Sequence, residues 1–125
     1  ELGIPLANDY FDIVYSRNLL EHLRNVGFHL EECYRVLKPK GSVDITTDNA
    51  ECQRYYWFGT HTGRYERKHP GDHHFSIFTK QHLLNHFEKA GFKNIKIEYV
   101  KTNTVGRWLD LVTFVKPRIR VTATK

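Results

Sequence analysis

An α/β fold, a sheet of about four strands with helices against it, is what this 125-residue sequence predicts, and three stretches carry that reading. Residues Phe11 to Tyr15 are aromatic and β-branched, and they give way through Ser16, Arg17 and Asn18 to Leu19, Leu20 and Leu23 at helical spacing. That order is a strand, a polar turn and a helix. Apolar residues then recur every three or four positions from Val26 to Leu37, until Pro39-Lys40-Gly41 stops the helix and a β-branched stretch follows. Further on, a helical segment ending at Gly91 leads into strict alternation over Ile95 to Val100.

Taken in order, Glu1 to Tyr10 reads as a loop, with Gly3, Pro5, Asn8 and Asp9 as turn formers and Ile4 and Leu6 free to pack. Phe11 to Tyr15 is the opening strand, and Asn18 is placed to cap a helix from about Leu19 to Arg24. After an interruption at Asn25 and Gly27, Val26, Leu30, Cys33, Tyr34 and Leu37 form the apolar face of a second helix, opposite Glu31, Glu32, Arg35 and Lys38. Ser42 to Thr47 is the next strand. Asp44 on one of its faces demands either water or a partner, because a doubly covered sheet is apolar on both sides. From Asp48 to about residue 78 the periodicity dissolves into an aromatic cluster, Tyr55 to Phe58, and a Gly-Pro-His-rich stretch, with one short helix expected near Ala50 to Phe58. Thr79 caps the next helix, whose apolar face is Leu83, Leu84, Phe87 and Ala90. Ile95 to Val100 and Trp108 to Val115 follow as strands, the second so apolar that it belongs inside the sheet. Lys116 to Lys125 reads as a basic tail that frays or adds an edge strand.

The totals narrow the class. A chain of this length makes one domain, and 40% hydrophobic with 26% charged residues is ordinary for a globular protein. No apolar run reaches the length of a membrane span, and no charged-then-apolar leader precedes the first strand. Cys33 and Cys52 are too few for a disulfide framework, so reduced thiols and a cytoplasmic setting are expected. The formal charge of +5 is mild. Lys116, Arg118, Arg120 and Lys125 accompany no nucleic-acid module, so a solvated tail is expected there and no nucleic-acid partner. His61, His69, Asp72, His73 and His74 do not form a zinc-ligand spacing and no cysteine joins them, so no metal site is expected.

Four motifs in this order resemble the class I S-adenosylmethionine-dependent methyltransferases, of the small-molecule and lipid type. Ile4-Pro5-Leu6 followed by Asn8-Asp9-Tyr10-Phe11-Asp12 resembles that family's approach to its fourth strand. Leu20-Glu21-His22-Leu23 is similar to its L-E-H helix start, Tyr34 to Gly41 to its R-V-L-K-P-G-G approach to the fifth strand, and Phe87 to Phe92 to the E-x-A-G-F before the sixth. The resemblance implies the C-terminal half of a Rossmann-like methyltransferase sheet: the family's strands four, five, seven and six, the last strand antiparallel. The glycine-rich turn that approaches the cofactor's methionine end has no match in these residues, and the chain reads as starting after the family's third strand. An active enzyme would then need an N-terminal half from a longer chain or a separate polypeptide. The alternative is a non-catalytic module that pairs, as a homodimer or with a partner, through the open edge of the first strand.

Residue by residue, the resemblance implies that Ser16, Arg17 and Asn18 line the S-adenosylmethionine site and that Ile4 and Pro5 flank its adenine. His22 is the candidate general base toward a small-molecule or lipid-like acceptor, since its charge changes near working pH. Glu21 stands beside it. Residues 48–78 would form a cover over the acceptor, with Tyr55, Tyr56 and Trp57 as an aromatic wall and His73 and His74 facing the substrate. Against each of these stands a plain structural role: a polar turn, a loop anchor, or aromatics covering a sheet face. Asp48, where the resembled pattern often has proline, is a departure.

Overall fold

A computed structural model describes residues 3–52, 74–100 and 118–125 of the chain. The expected aromatic wall at Tyr55, Tyr56 and Trp57, the histidines His61, His69 and His73, the greater part of the helix expected near Ala50 to Phe58, and the strand expected at Trp108 to Val115 lie outside the described residues.

Four strands form one sheet: β1 (Phe11–Arg17), β2 (Leu37–Asp48), β3 (Lys93–Val100) and β4 (Arg118–Thr124), in the order β1-β2-β4-β3. β1 and β2 are parallel, whereas β4 runs antiparallel to both of its neighbours. This is the mixed α/β sheet that the sequence predicts, with its last strand antiparallel. The basic tail is the exception. Instead of fraying or adding an edge, it is an interior strand between β2 and β3. Ile119, Val121 and Ala123 alternate with polar residues and are all buried, so inserting the segment hides one full apolar face. Lys125 then locks its end: the backbone N–H donates to the Gly41 carbonyl at 2.9 Å, and Nζ donates to Asp9 Oδ1 and the Leu37 carbonyl, each at 2.7 Å.

Two helices, α1 (Val26–Val36) and α2 (Lys80–Lys89), cover one face of the sheet. Leu30 and Cys33 from α1 and Leu83 and Phe87 from α2 pack with Val43 and Ile45 of β2 and Ile119 and Val121 of β4 into one core. Burial pushes the Cys33 thiol up to about 11, so it is packing material and no nucleophile. Asn25 caps α1 by accepting from the Phe28 N–H at 3.0 Å, and Thr79 caps α2 by accepting from the His82 N–H at 3.2 Å. Gly91, at φ +98°, ends the second helix in the left-handed region that glycine tolerates.

The Pro39-Lys40-Gly41 stop lies within β2 and not at the end of α1, which closes at Val36. It makes a bulge there: the register passes from Phe11 opposite Leu37 to Ile13 opposite Ser42. A side chain at Gly41 would sit 2.8 Å from the Lys38 carbonyl, so the bulge requires glycine. Asn18 is likewise not a helix cap. It adopts φ +50°, its N–H donates to the Thr46 carbonyl at 2.8 Å, and its side chain accepts from Arg118. With the asparagine so engaged, the following residues make only a single 3-10 turn, Leu20–His22.

The opposite face of the sheet is polar across β2, β4 and β3. Asp44 on β2 takes both Arg120 Nε and Nη2 of β4, at 2.9 and 2.7 Å, and Arg120 Nη1 reaches Glu98 of β3 at 3.4 Å. That pair is the partner Asp44 required. Among the described residues β1 has no neighbour on its outer side, and Ile13 and Tyr15 are 62% and 55% exposed.

Candidate functional site

In an open α/β sheet, ligands gather where parallel strands end. Here that is Ser16 to Asn18 after β1 and Thr46 to Asn49 at the end of β2. The 3-10 turn Leu20–His22 sits against these ends, and the segment His74–Phe78 closes over them. The closure has a backbone cause. The N–H groups of Phe75 and Ser76 donate to the Glu21 carbonyl at 2.8 and 3.3 Å, and the Ala50 N–H donates to the Phe78 carbonyl at 2.8 Å. One short segment is thereby fastened to both the turn and the residues that follow β2.

The side chains that this brings together are ionisable. Glu21, only 2% exposed, accepts a hydrogen bond from the Thr47 hydroxyl at 2.6 Å. Burial raises its carboxyl above the ordinary value of 4.5 and the nearby Asp48 adds to this, against the lowering effect of the Thr47 hydrogen bond. His22 and His74 meet at 4.6 Å between ring centroids with planes at 88°, and His74 Nδ1 stands 3.7 Å from Asp48 Oδ2. Such a cluster can bind a polar acceptor and move a proton.

Of the residues singled out from the sequence, Glu21, His22 and His74 are brought together. Ser16, Arg17 and Asn18 lie at the adjoining end of β1. The Ser16 hydroxyl is buried with no hydrogen-bond partner among the described residues, and so is Arg118 Nε, from the strand that reaches Asn18. Arg17 points outward and stacks over the Tyr15 ring at 5.3 Å. Ile4 and Pro5 are not brought to this end. The Ile4 N–H donates to Glu32 Oε2 and its carbonyl accepts from Arg35 Nη2, each at 2.8 Å, which ties the loop to α1. The same loop continues into Asp9 and Tyr10, bonded to the carbonyls of Arg35 and Val36 where β1 begins. The strand separates its start at Phe11 from Asn18 by about 23 Å, at roughly 3.3 Å per residue.

Reading the sequence missed Thr47, Asn49 and Arg118 as members of this cluster and noted Asp48 only as a departure. The rule that pointed to the end of β1 applies equally to the end of β2, and it would have found Thr47 to Asn49. Arg118 was hidden by the reading of the tail as solvated. A groove of about 480 Å³ between the start of α1 and α2, lined by Arg24, Phe28, His86 and Lys89 among others, holds none of the clustered side chains. Among the described residues no group of three or more histidine, cysteine or acidic side chains is placed to hold a metal ion, and no helix is long and apolar enough to cross a membrane.

The residues present fit one side of an S-adenosylmethionine site. The Ser16 hydroxyl, without a hydrogen-bond partner among the described residues, and the left-handed backbone at Asn18 form a polar strand end where a zwitterionic ligand can be met, while among the described residues the outer side of β1 is open.

Comparison with known proteins agrees with this architecture. A family model described as a methyltransferase domain matches residues 4–97. The ubiquinone biosynthesis O-methyltransferase of Nitrobacter winogradskyi is 31% identical over 88 residues, covering 68% of this chain and 33% of that protein. The mitochondrial ubiquinone biosynthesis O-methyltransferase of Rattus norvegicus is 46% identical over 39 residues, 31% of this chain and 11% of that protein. The chain therefore spans a third or less of the length of these two relatives. Among solved structures, a SAM-dependent methyltransferase from Archaeoglobus fulgidus superposes with a TM-score of 0.69 at 18% identity, covering 96% of this chain and 62% of that one. A SAM-dependent methyltransferase from Thermotoga maritima, described as a possible histamine N-methyltransferase, gives 0.71 at 17% identity, with coverages of 98% and 60%.

Proposed function

Since the chain belongs to the methyltransferase domain family, we propose that it serves S-adenosylmethionine-dependent methyl transfer to a small-molecule acceptor and carries the acceptor side of the site. The observation behind this is the cluster of Glu21, His22, Asp48 and His74 where β1 and β2 end. The names of the curated relatives favour an acceptor oxygen. When bound, S-adenosylmethionine supplies a sulfonium-activated methyl group, so the protein's task is chiefly alignment.

In this reading His22 takes the proton of the acceptor hydroxyl, while Glu21 holds the turn that bears His22 against Thr47 of β2. Ser16, Arg17 and Asn18 line the cofactor side. Ile4 and Pro5 anchor the preceding loop to α1. Residues 48–78 act as a cover, with Tyr55, Tyr56, Trp57, His73 and His74 toward the acceptor. The buried, reduced thiols of Cys33 and Cys52 support a cytoplasmic setting.

The rest of the cofactor site lies on a strand added outside β1, contributed by a longer chain or a separate polypeptide. The exposed Ile13 and Tyr15 beside that edge favour a second reading too, a non-catalytic module that pairs there with another copy. Calorimetric titration with S-adenosylmethionine separates the two, once light scattering has fixed the oligomeric state. The transferase reading expects saturable binding by the chain, alone or mixed with the N-terminal part of the Nitrobacter relative. It also expects labelled methyl transfer to a phenolic acceptor, reduced about 10²–10⁴-fold in His22→Gln. A folded dimer that neither binds nor transfers, alone or mixed, overturns it.

A further inference from the structure

His22 is the base in the reading above, yet its ring stands on no rigid element, only on a single 3-10 turn. Among the described residues, a neighbour fixes it. His74 meets the His22 ring edge to face, and its backbone is held by the hydrogen bonds that Phe75 and Ser76 give to the Glu21 carbonyl. With both backbones fastened, side-chain contacts set the rotation of each imidazole. Asp48 limits the first rotation. It is the last residue of β2, opposite Arg118 in the interior of the sheet, and it is 7% exposed. Its carboxylate faces Nδ1 of His74 at 3.7 Å, with the two side chains 10% and 13% exposed. At that distance the two make a charge contact without a hydrogen bond, and a carboxylate so placed favours the tautomer with the proton on Nδ1, on the side facing the acid.

We propose that Asp48 and His74 are positioning residues for His22: Asp48 sets the tautomer and plane of His74, and the His74 ring sets the plane of His22. The proposal rests on the reading of His22 as the base. Among the described residues, the charged and titratable groups beside the pair include Glu21 on the turn, held by Thr47, and Arg118 on β4, which donates to Asn18.

Long-range proton–nitrogen spectra of the histidine rings in the full chain test it without requiring turnover. His74 is expected as the Nδ1–H tautomer, changing toward Nε2–H in Asp48→Ala while the amide signals of β4 stay in place. The His22 ring signals move in the same variant and in His74→Phe, which keeps a flat ring. Asp48→Asn, which keeps an oxygen acceptor, retains the His74 tautomer, while Asp48→Leu, which keeps the bulk without an acceptor, changes it and stands in if the alanine variant fails to fold. In the methyl-transfer assay, with the N-terminal part supplied, Asp48→Ala lowers kcat about 10–100-fold and leaves the acceptor KM unchanged. A His74 ring already in the Nε2–H form, or His22 signals indifferent to both variants, overturns the proposal. If His22→Gln is inactive while the rings prove uncoupled, the base stands and the positioning pair falls; a fully active His22→Gln removes the base itself, whatever the spectra show.

Discussion

Asp44 on β2 and Glu21 on the turn after β1 are both acids bonded to side chains of one small sheet, and they are stabilised in opposite ways. Asp44 lies on the face away from the helices, where Arg120 grips it with two nitrogens and holds its carboxyl below the ordinary 3.8. Glu21 lies under the closing segment, 2% exposed, with a hydroxyl as its side-chain donor, and burial holds its carboxyl above the ordinary 4.5. The first is an ion pair that staples β2 to the last strand. The second is an acid whose burial favours its protonated form, beside two histidines and another acid. A carboxyl shifted upward inside a cluster is the kind of group from which chemistry is built, whereas a satisfied pair on a sheet face is architecture.

The contrast is sharpest along β4, where Ile119 and Arg120 are neighbours on opposite faces. Ile119 is fully buried against the helices, and Ile119→Ala should cost about 2–5 kcal/mol, read from the denaturant midpoint. A loss comparable to that of an exposed surface change would break the comparison at its root, because it would mean that the tail is not an interior strand. Next in size is Thr47→Val. Taking the donor from a buried carboxyl should cost about 1–3 kcal/mol and push the Glu21 carboxyl still higher, since the Thr47 hydrogen bond now lowers it.

The acids also respond to pH with opposite sign. A carboxyl raised in the folded state binds its proton more tightly there than in the unfolded chain, so the stability it contributes is present below 4.5 and is lost as pH rises through its folded value. Glu21→Gln cannot lose a proton, and its stability should fall less steeply than the parent's over that rise. Denaturation of both proteins across the range measures the difference; parallel profiles would mean that Glu21 is ionised as an ordinary surface acid.

Most of the scaffold was legible in the residues. An aromatic and β-branched run gave β1, alternation and three-to-four spacing gave α1, α2 and β3 because one face of each is plainly apolar, and the caps at Thr79 and Gly91 were in place. The tail misled because Arg118, Arg120 and Lys125 looked solvated, while Ile119, Val121 and Ala123 form a buried stripe that only tertiary pairing reveals. Asp44 and Arg120 are 76 residues apart, so the demand for a partner could be read and its identity could not. Asn18 has a good capping side chain, but a contact with Arg118, 100 residues away, took it. At the site, Glu21 and His22 stood out through their place after β1. Asp48 joined them only when the backbone of residues 75–78 folded His74 back toward β2, a closure with no local signature.

The smallest expected effect concerns the ion pair itself. The Arg120 side chain is 43% exposed and that of Asp44 22%, so water screens much of their attraction, and Asp44→Asn should cost only about 0.2–1 kcal/mol at neutral pH. Its sign with pH is the reverse of that for Glu21. A depressed carboxyl contributes stability above its unfolded value of 3.8 and loses it as pH falls through the folded value. The asparagine variant should therefore be less stable than the parent at neutral pH and converge with it in acid. Added salt should narrow the neutral gap, because the pair is exposed enough to be screened. A gap that persists in acid and in salt would mean that Asp44 acts through packing and hydrogen bonding on the sheet face instead of through charge, and the two acids would then differ in burial alone.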